Sequence, residues 1–149
     1  MREIRLLASD DLCAIAEIER LCFFEPWSER SLELLLRDGN FGVVAVEDGV
    51  VVSYVGVISA PPEGEITNVA THPNYRRRGI GAELLGFLKA EAERRTIDSL
   101  YLEVRRSNEA ARSLYEKSGF RVIGERKGFY KNPKEDAVLM GWNAQIYNT

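Results

Sequence analysis

The chain is short of the residues that staple small proteins or hold metals. Among its 149 residues there are two cysteines, Cys13 and Cys22, and a single histidine, His72. The cysteines sit in a helical pattern at a spacing that is neither a CxxC redox pair nor a metal-ligand set, so both are expected in a helix core. One histidine and two distant cysteines make no metal constellation, and none is expected. A GxSxG elbow is missing, which removes the Ser-His-Asp hydrolases. Long apolar runs are missing too: the longest, Val50 to Ile58, is interrupted by Ser53, Tyr54 and Gly56, well short of the ~20 residues a spanning helix needs. The leading MREIRLL lacks the apolar stretch and small-residue cleavage site of a secretory signal, so a cytoplasmic location and no membrane contact are expected. Nor is there an excess of positive charge. Lys plus Arg number 20 against 23 Asp plus Glu, for a net charge of −3. No overall basic field exists to grip nucleic acid, and any anion site must be local.

What is present suits one globular domain over residues 1–149, with 45% hydrophobic and 29% charged residues and enough chain to bury roughly two-thirds of its unfolded surface. Ile4, Leu6 and Ala8 mark a first strand, and Ser9 with Asp10 and Asp11 an N-cap for a helix carrying Leu12, Ile15, Ile18 and Cys22. Pro26 stops that helix; Ser28 caps a second through Leu36, ended by Gly39. From Phe41 to Ser59 two β-rich runs flank Asp48-Gly49, a type I′ hairpin signal. Pro61 to Gly64 breaks the chain, and Glu65 to Thr71 reads as a strand. Ile80, Leu84, Leu88 and Ala92 then share a helix face, followed by a strand over Ser99 to Val104. A helix capped by Ser107 or Asn108 carries Ala111, Leu114 and Tyr115 to Gly119, and strands follow near Phe120 to Gly124 and Ala137 to Trp142. The string β-α-α-β-β-β-α-β-α-β-β mixes hairpins with crossovers, predicting a mixed α/β sheet covered by helices.

Chemistry concentrates first at Arg76-Arg77-Arg78-Gly79-Ile80-Gly81-Ala82. Closely spaced glycines let backbone N–H groups approach a ligand without Cβ obstruction, and the helix N-terminus adds about half a positive charge. A pyrophosphate fits such a cradle, with the arginines available to further phosphate oxygens. A solvated basic loop is the competing reading, but two glycines at a helix start each cost ~1 kcal/mol relative to Ala and want a compensating use. Neither the Walker nor the GxGxxG pattern is matched.

Asn68 to Tyr75 followed by RRRGIG resembles motif A of the GNAT acyltransferases, whose [QR]-x-x-G-x-[GA] pattern is filled by Arg76, Gly79 and Gly81. Asn108 to Phe120 resembles motif B. The resemblance spans nearly the whole chain and implies a GNAT-like, mostly antiparallel twisted sheet of about seven strands and about four helices. It also implies acetyl-coenzyme A as donor. The pyrophosphate would lie on the backbone of Arg78 to Gly81, with Arg76, Arg77, Ala82 and Asn108 nearby, and the pantetheine arm beside Val69, Ala70 and Thr71. Phe24 to Glu29, Leu102 to Arg105, Phe129-Tyr130 and Glu135 to Ala137 are similar to the RimI type. That branch acetylates protein N-termini, typically the N-terminal alanine of the eighteenth small-subunit ribosomal protein. Relatives commonly carry Tyr-Tyr where this chain has Phe129-Tyr130, which removes one hydroxyl from the expected peptide-gripping loop.

Period-two alternation puts Leu100, Leu102 and Val104 on one strand face and Tyr101 and Glu103 on the other. Glu103 is then either a carboxylate paired with Arg105 or Arg106, or a base. An α-amino group with a reference pKa of about 7.7–8.0 must lose its proton before attacking a thioester, and a half-buried carboxylate can take it. Tyr115 shares a face with Ala111 and could simply fill core, yet a positioned phenol could protonate a leaving thiolate. RimI-type enzymes use the glutamate and tyrosine at these positions as base and acid. A backbone N–H near Val69 or Ala70 is the expected oxyanion donor, and His72, before Pro73, is expected to be structural or exposed. Pro26, Trp27 and Ser28 would bracket the acceptor opposite Phe129 and Tyr130, with Phe23, Phe24 and Trp27 as a satellite core the plainer reading. Glu25, Glu29 and Glu33 would favour a basic peptide. The expectation is an acetyl-coenzyme A dependent N-acetyltransferase of a protein N-terminus, acting as a monomer or weak dimer. A small-molecule amine acetyltransferase and a non-catalytic acyl-coenzyme A binding module are the alternatives.

Overall fold

The computed structural model describes residues 1–144, and its elements fall in the order read from the hydrophobic pattern. They are β1 (Arg2–Leu6), α1 (Leu12–Cys22), α2 (Glu29–Leu32), β2 (Phe41–Glu47), β3 (Val50–Ala60), β4 (Glu63–Thr71), α3 (Ile80–Arg94), β5 (Ser99–Arg105), α4 (Glu109–Lys117), β6 (Arg121–Lys131) and β7 (Lys134–Asn143). The seven strands form one mixed sheet in the order β1-β2-β3-β4-β5-β7-β6. Every pairing is antiparallel except β4 with β5. No helix among the described residues is long and apolar enough to cross a membrane.

Alternation along the strands divides the core between the two sheet faces. Leu84, Leu88 and Ala92 of α3 pack with Val43, Val55, Ile66, Leu100 and Leu102 on one face. Ile15 and Ile18 of α1 pack with Leu32, Val44 and Tyr54 on the other. The β2–β3 turn has positive φ at both Asp48 (50°) and Gly49 (85°), the geometry a type I′ turn requires.

Several local expectations are corrected. Ser9 does not cap α1. It begins a 3-10 turn over Ser9–Asp11, and the carboxylate of Asp11 accepts the Ala8 N–H at 2.8 Å while pairing with Arg5. Cys13 is exposed and Cys22 half-buried, because the buried stripe of α1 runs through Leu12, Ile15, Ala16, Ile18 and Glu19. The second helix is one α turn capped by Ser28, whose Oγ accepts the Ser31 N–H at 3.0 Å, followed by a 3-10 turn over Glu33–Leu36. β4 starts at Glu63, since Ala60 and Glu63 close the hairpin directly across Pro61-Pro62. β6 and β7 run on to Lys131 and back from Lys134. Phe129 and Tyr130 therefore lie on a strand and not on a loop. Polar pairs hold this extension: Tyr130 opposes Glu135, Lys131 opposes Lys134, and the Gly128 N–H donates to Asp136 Oδ1 at 2.8 Å. Such a segment carries no apolar alternation to read.

Two irregularities shape the centre of the sheet. β4 and β5 pair only through Glu63 with Ser99, Gly64 with Leu100 and Glu65 with Tyr101. Beyond those three pairs the strands part. Beside the opening, the β3–β4 register slips between Val55–Val69 and Val57–Ile66. Thr67 and Asn68 thus face Gly56 alone, a bulge that bends β4 away from β5.

Candidate active site

The donor side is built where β4 ends and α3 begins. His72 Nδ1 accepts the Asn74 N–H at 3.1 Å and starts a 3-10 turn over Pro73–Tyr75, a structural role as expected. Gly79 precedes α3 with φ of +77°, a left-handed conformation costly for side-chain-bearing residues. Ile80 is buried, which anchors the first turn of α3 with its unpaired amides at the mouth of the gap. Ala82 lies exposed in that turn.

The arginines divide. Arg76 donates from Nε to the Thr71 carbonyl at 3.2 Å and from Nη2 to Cys22 Sγ at 3.3 Å. Arg78 reaches Glu47 Oε2 and the Asn74 carbonyl, both at 3.4 Å, and lies over the Tyr75 ring. Among the described residues only Arg77 of the three makes no such contact. Gly81 has a protein neighbour besides the space expected for phosphate. A Cβ there would meet Leu114 Cδ2 at 2.7 Å, so this glycine makes room for α4. Asn108 caps α4, its Oδ1 accepting the Ala111 N–H at 3.1 Å, which settles the choice between Ser107 and Asn108.

Val69, Ala70 and Thr71 line the β4 side of the gap. The His72 N–H donates to the Val52 carbonyl at 2.8 Å. By the two-residue alternation of strand amides, Ala70 also faces β3, while the amides of Val69 and Thr71 face the gap.

On β5, Leu100, Leu102 and Val104 are in the core and Glu103 points to the other face. There it borders a cavity of about 300 Å³ with Ile58, Glu63, Glu65, Ile123 and Arg126. Glu103 Oε2 is buried without a hydrogen-bond partner. Burial pushes this carboxyl up, Arg126 opposes the shift and Glu65 adds to it. Arg126 Nε stands 3.7 Å from Oε2. The expected partners are engaged elsewhere, Arg105 with Glu135 and Arg106 with Glu125.

Tyr115 of α4 is buried, and burial, reinforced by Tyr130, raises its phenol. Tyr130 is itself pushed up to about 12 by burial and then by Glu103. Tyr130 is thus coupled electrostatically to both Glu103 and Tyr115. Arg105 lies over the Tyr130 ring at 4.4 Å and donates to the Pro133 and Asn132 carbonyls, pinning the hairpin tip. Phe129 packs edge-on against Tyr130 with centroids 5.1 Å apart.

Beside the tip of the β6–β7 hairpin lies the α1–α2 loop. Phe23 and Trp27 pack on the core of the α1 face, while Phe24 is 80% exposed. Pro26 is exposed. Asn132 Nδ2 of the hairpin donates to Glu25 Oε1 of this loop at 3.1 Å, joining the two. The Trp27 N–H donates to Glu19 Oε1 at 2.9 Å. Sequence reading missed Glu19 and Arg126. The signal for Glu19 was a glutamate on the apolar stripe of α1; for Arg126 there was none, because its pairing with Glu103 is long-range.

A sheet opened at the one parallel pair among the described residues, a glycine-capped helix following β4 and a buried carboxylate on β5 together make up the candidate site. The chain belongs to the acetyltransferase (GNAT) family, whose model matches residues 12–120. It is 33% identical over 142 residues to the ribosomal protein bS18-alanine N-acetyltransferase of Escherichia coli K12, covering 94% of this chain and 96% of that one. The crystal structure of the Escherichia coli ribosomal-protein-S18-alanine N-acetyltransferase superposes with a TM-score of 0.89 at 32% identity, over 97% of this chain and 94% of that one. A ribosomal-protein-alanine N-acetyltransferase from Brucella melitensis gives 0.82 at 27% identity, over 95% and 99%. The protein is a GNAT N-acetyltransferase, an enzyme of the acetyl-coenzyme A dependent class.

Proposed function

We propose that this enzyme acetylates the α-amine of a protein N-terminus, and that its acceptor is the N-terminal alanine of a small-subunit ribosomal protein. The observation that carries the reading is Glu103: a buried carboxylate oxygen without a hydrogen-bond partner, bordering a cavity with Arg126 Nε at 3.7 Å, in a fold whose α1–α2 loop is joined to the β6–β7 hairpin through Glu25 and Asn132. Acetyl-coenzyme A supplies an activated acetyl thioester. The first-turn amides of α3, around Arg78, Gly79, Ile80, Gly81 and Ala82, would hold its pyrophosphate, and the β4 edge at Val69 to Thr71 its extended arm. Arg77 is the guanidinium left for a further phosphate, and Asn108, the cap of α4, would lie nearby.

The chain's own groups then divide the proton work. Glu103, with its proton affinity raised toward that of an amine, accepts a proton from the α-ammonium directly or through one water. The Val69 N–H, facing the gap, is placed to stabilise charge on the acetyl oxygen. Tyr115 is a phenol protonated at neutral pH, and it is the group that would donate to sulfur as the thiolate leaves. Pro26, Trp27 and Ser28 with Phe129 and Tyr130 would hold the first residues of an extended peptide, a narrow end admitting a small first side chain.

Incubation with acetyl-coenzyme A and a peptide panel, read by intact mass, tests this. A peptide starting with Ala is expected to gain one acetyl group on its α-amine, and blocking that amine should abolish transfer even with lysines present. Acetylation of free lysine or spermidine with no peptide product would assign a small-molecule acceptor. Donor binding with no thiol release from any amine would assign a binding module.

A further inference from the structure

Glu19 is a buried ionisable group that the proton chemistry leaves unused, and unlike the buried Asp11 and Glu91 it has no arginine beside it in an ion pair. It sits on α1 with no exposed surface, and the described residues supply it with no cation. Its partners are three neutral donors on three separate segments. Oε1 accepts the Trp27 N–H of the α1–α2 loop at 2.9 Å, and Oε2 accepts from Asn68 Nδ2 of β4 at 2.8 Å and from the Tyr54 hydroxyl of β3. Tyr54 is itself fully buried.

A core position of this kind is ordinarily filled by an apolar side chain, because burying a carboxylate carries a large desolvation cost. What a carboxylate can do here, and neither a leucine nor a glutamine can, is accept from three donors at once. Two of the three lie at functional positions. Trp27 lies on the α1–α2 loop that the proposed function assigns to the acceptor, and Asn68 is one of the two bulge residues that turn β4 away from β5. One turn further along α1, Cys22 Sγ donates to the Thr71 carbonyl at 3.4 Å and accepts from Arg76 at 3.3 Å. The last turn of α1 is therefore bonded to the acceptor loop and to the donor edge together.

We propose that Glu19 is a positioning residue for the acceptor: by bonding the Trp27 amide and the Asn68 side chain with one carboxylate, it fixes the α1–α2 loop at a set distance from the β4 bulge. The acceptor part rests on the function proposed above. Loop position, by contrast, can be read without any acceptor.

The test uses the full chain labelled with 5-fluorotryptophan, whose two tryptophans report separately: Trp27 on the loop and Trp142, buried in the other core cluster. In Glu19→Gln one acceptor oxygen becomes a donor, so at least one of the three bonds is lost. The expected result is a shifted or broadened Trp27 signal with the Trp142 signal unmoved. KM for the accepting amine should rise at least fivefold, with kcat and acetyl-coenzyme A affinity within twofold of the parent. Should that variant not fold, Glu19→Met with Tyr54→Phe replaces the carboxylate and its phenol by apolar groups, a change cores tolerate far better, and the same split is expected. A folded variant with parental Trp27 signal and parental KM overturns the proposal. So does a loss shared equally by Trp142 and donor affinity, which would make Glu19 a core residue only. If the parent acetylates no peptide α-amine, the proposed function fails by itself, and the fluorine signals with whichever amine accepts still decide the role of Glu19.

Discussion

At the scale of single residues, the site rests on groups whose surroundings set their proton affinity. Glu103→Gln and Tyr115→Phe should each lower kcat by about 10²-fold or more with donor affinity nearly unchanged, the pattern of groups that act in the transition state. Steady-state kinetics beside calorimetric donor binding check this. Arg126 gives the pH prediction its sign. It holds the Glu103 carboxyl below where burial alone would put it, so Arg126→Met should let that pKa rise. The base is then protonated over more of the acid range, and the acid limb of the kcat profile should move to higher pH. A limb that stays put or moves down would remove Arg126 from the site. The places of Glu103 and Tyr115 in the fold were legible because each lies in a sequence motif with a local period. Glu19 and Arg126 were not, since their meaning comes from partners 49 and 23 positions away, Asn68 and Glu103.

At the scale of elements, the order of strands and helices was legible throughout and their ends were not. Continuous apolar runs mark β2 and β3, both buried along most of their length, whereas the far half of β6 is held by polar cross-strand contacts that leave no period. The same distinction applies to Gly81. It was read as a phosphate-clearing glycine from its motif, while its missing Cβ faces Leu114 of the neighbouring helix. Gly81→Ala should therefore push the end of the Leu114 side chain aside, at a cost of at most about 1 kcal/mol, and weaken donor binding as the first turn of α3 shifts. Combining it with Leu114→Ala should restore both. Thermal unfolding and calorimetry of the double variant give the answer; recovery of stability without recovery of binding would return Gly81 to the ligand.

At the scale of the whole molecule, sheet topology brings together segments far apart in sequence, as the 107-residue separation of Glu25 and Asn132 records. Carboxylates gather there: Glu25 on the loop and Glu63, Glu65 and Glu103 along the cleft. Capture of a cationic peptide should be assisted by this field, so kcat/KM should fall as salt rises through the range where the Debye length shortens from about 30 to about 8 Å, with kcat steady. A salt-independent kcat/KM would mean the charges do not steer. The three-pair contact between β4 and β5 has a consequence of another kind. A sheet usually shares its stability along every ladder, but here the ladder stops at Glu65 and Tyr101. Amide hydrogen exchange should therefore find its weakest protection in the middle of the sheet, at the gap-facing amides of Val69 and Thr71, and not only at its edges. A ligand filling that gap adds about 2.7 kcal/mol to stability at a hundred times its dissociation constant, so the cell's supply of the activated acyl group would also set how long the folded enzyme survives.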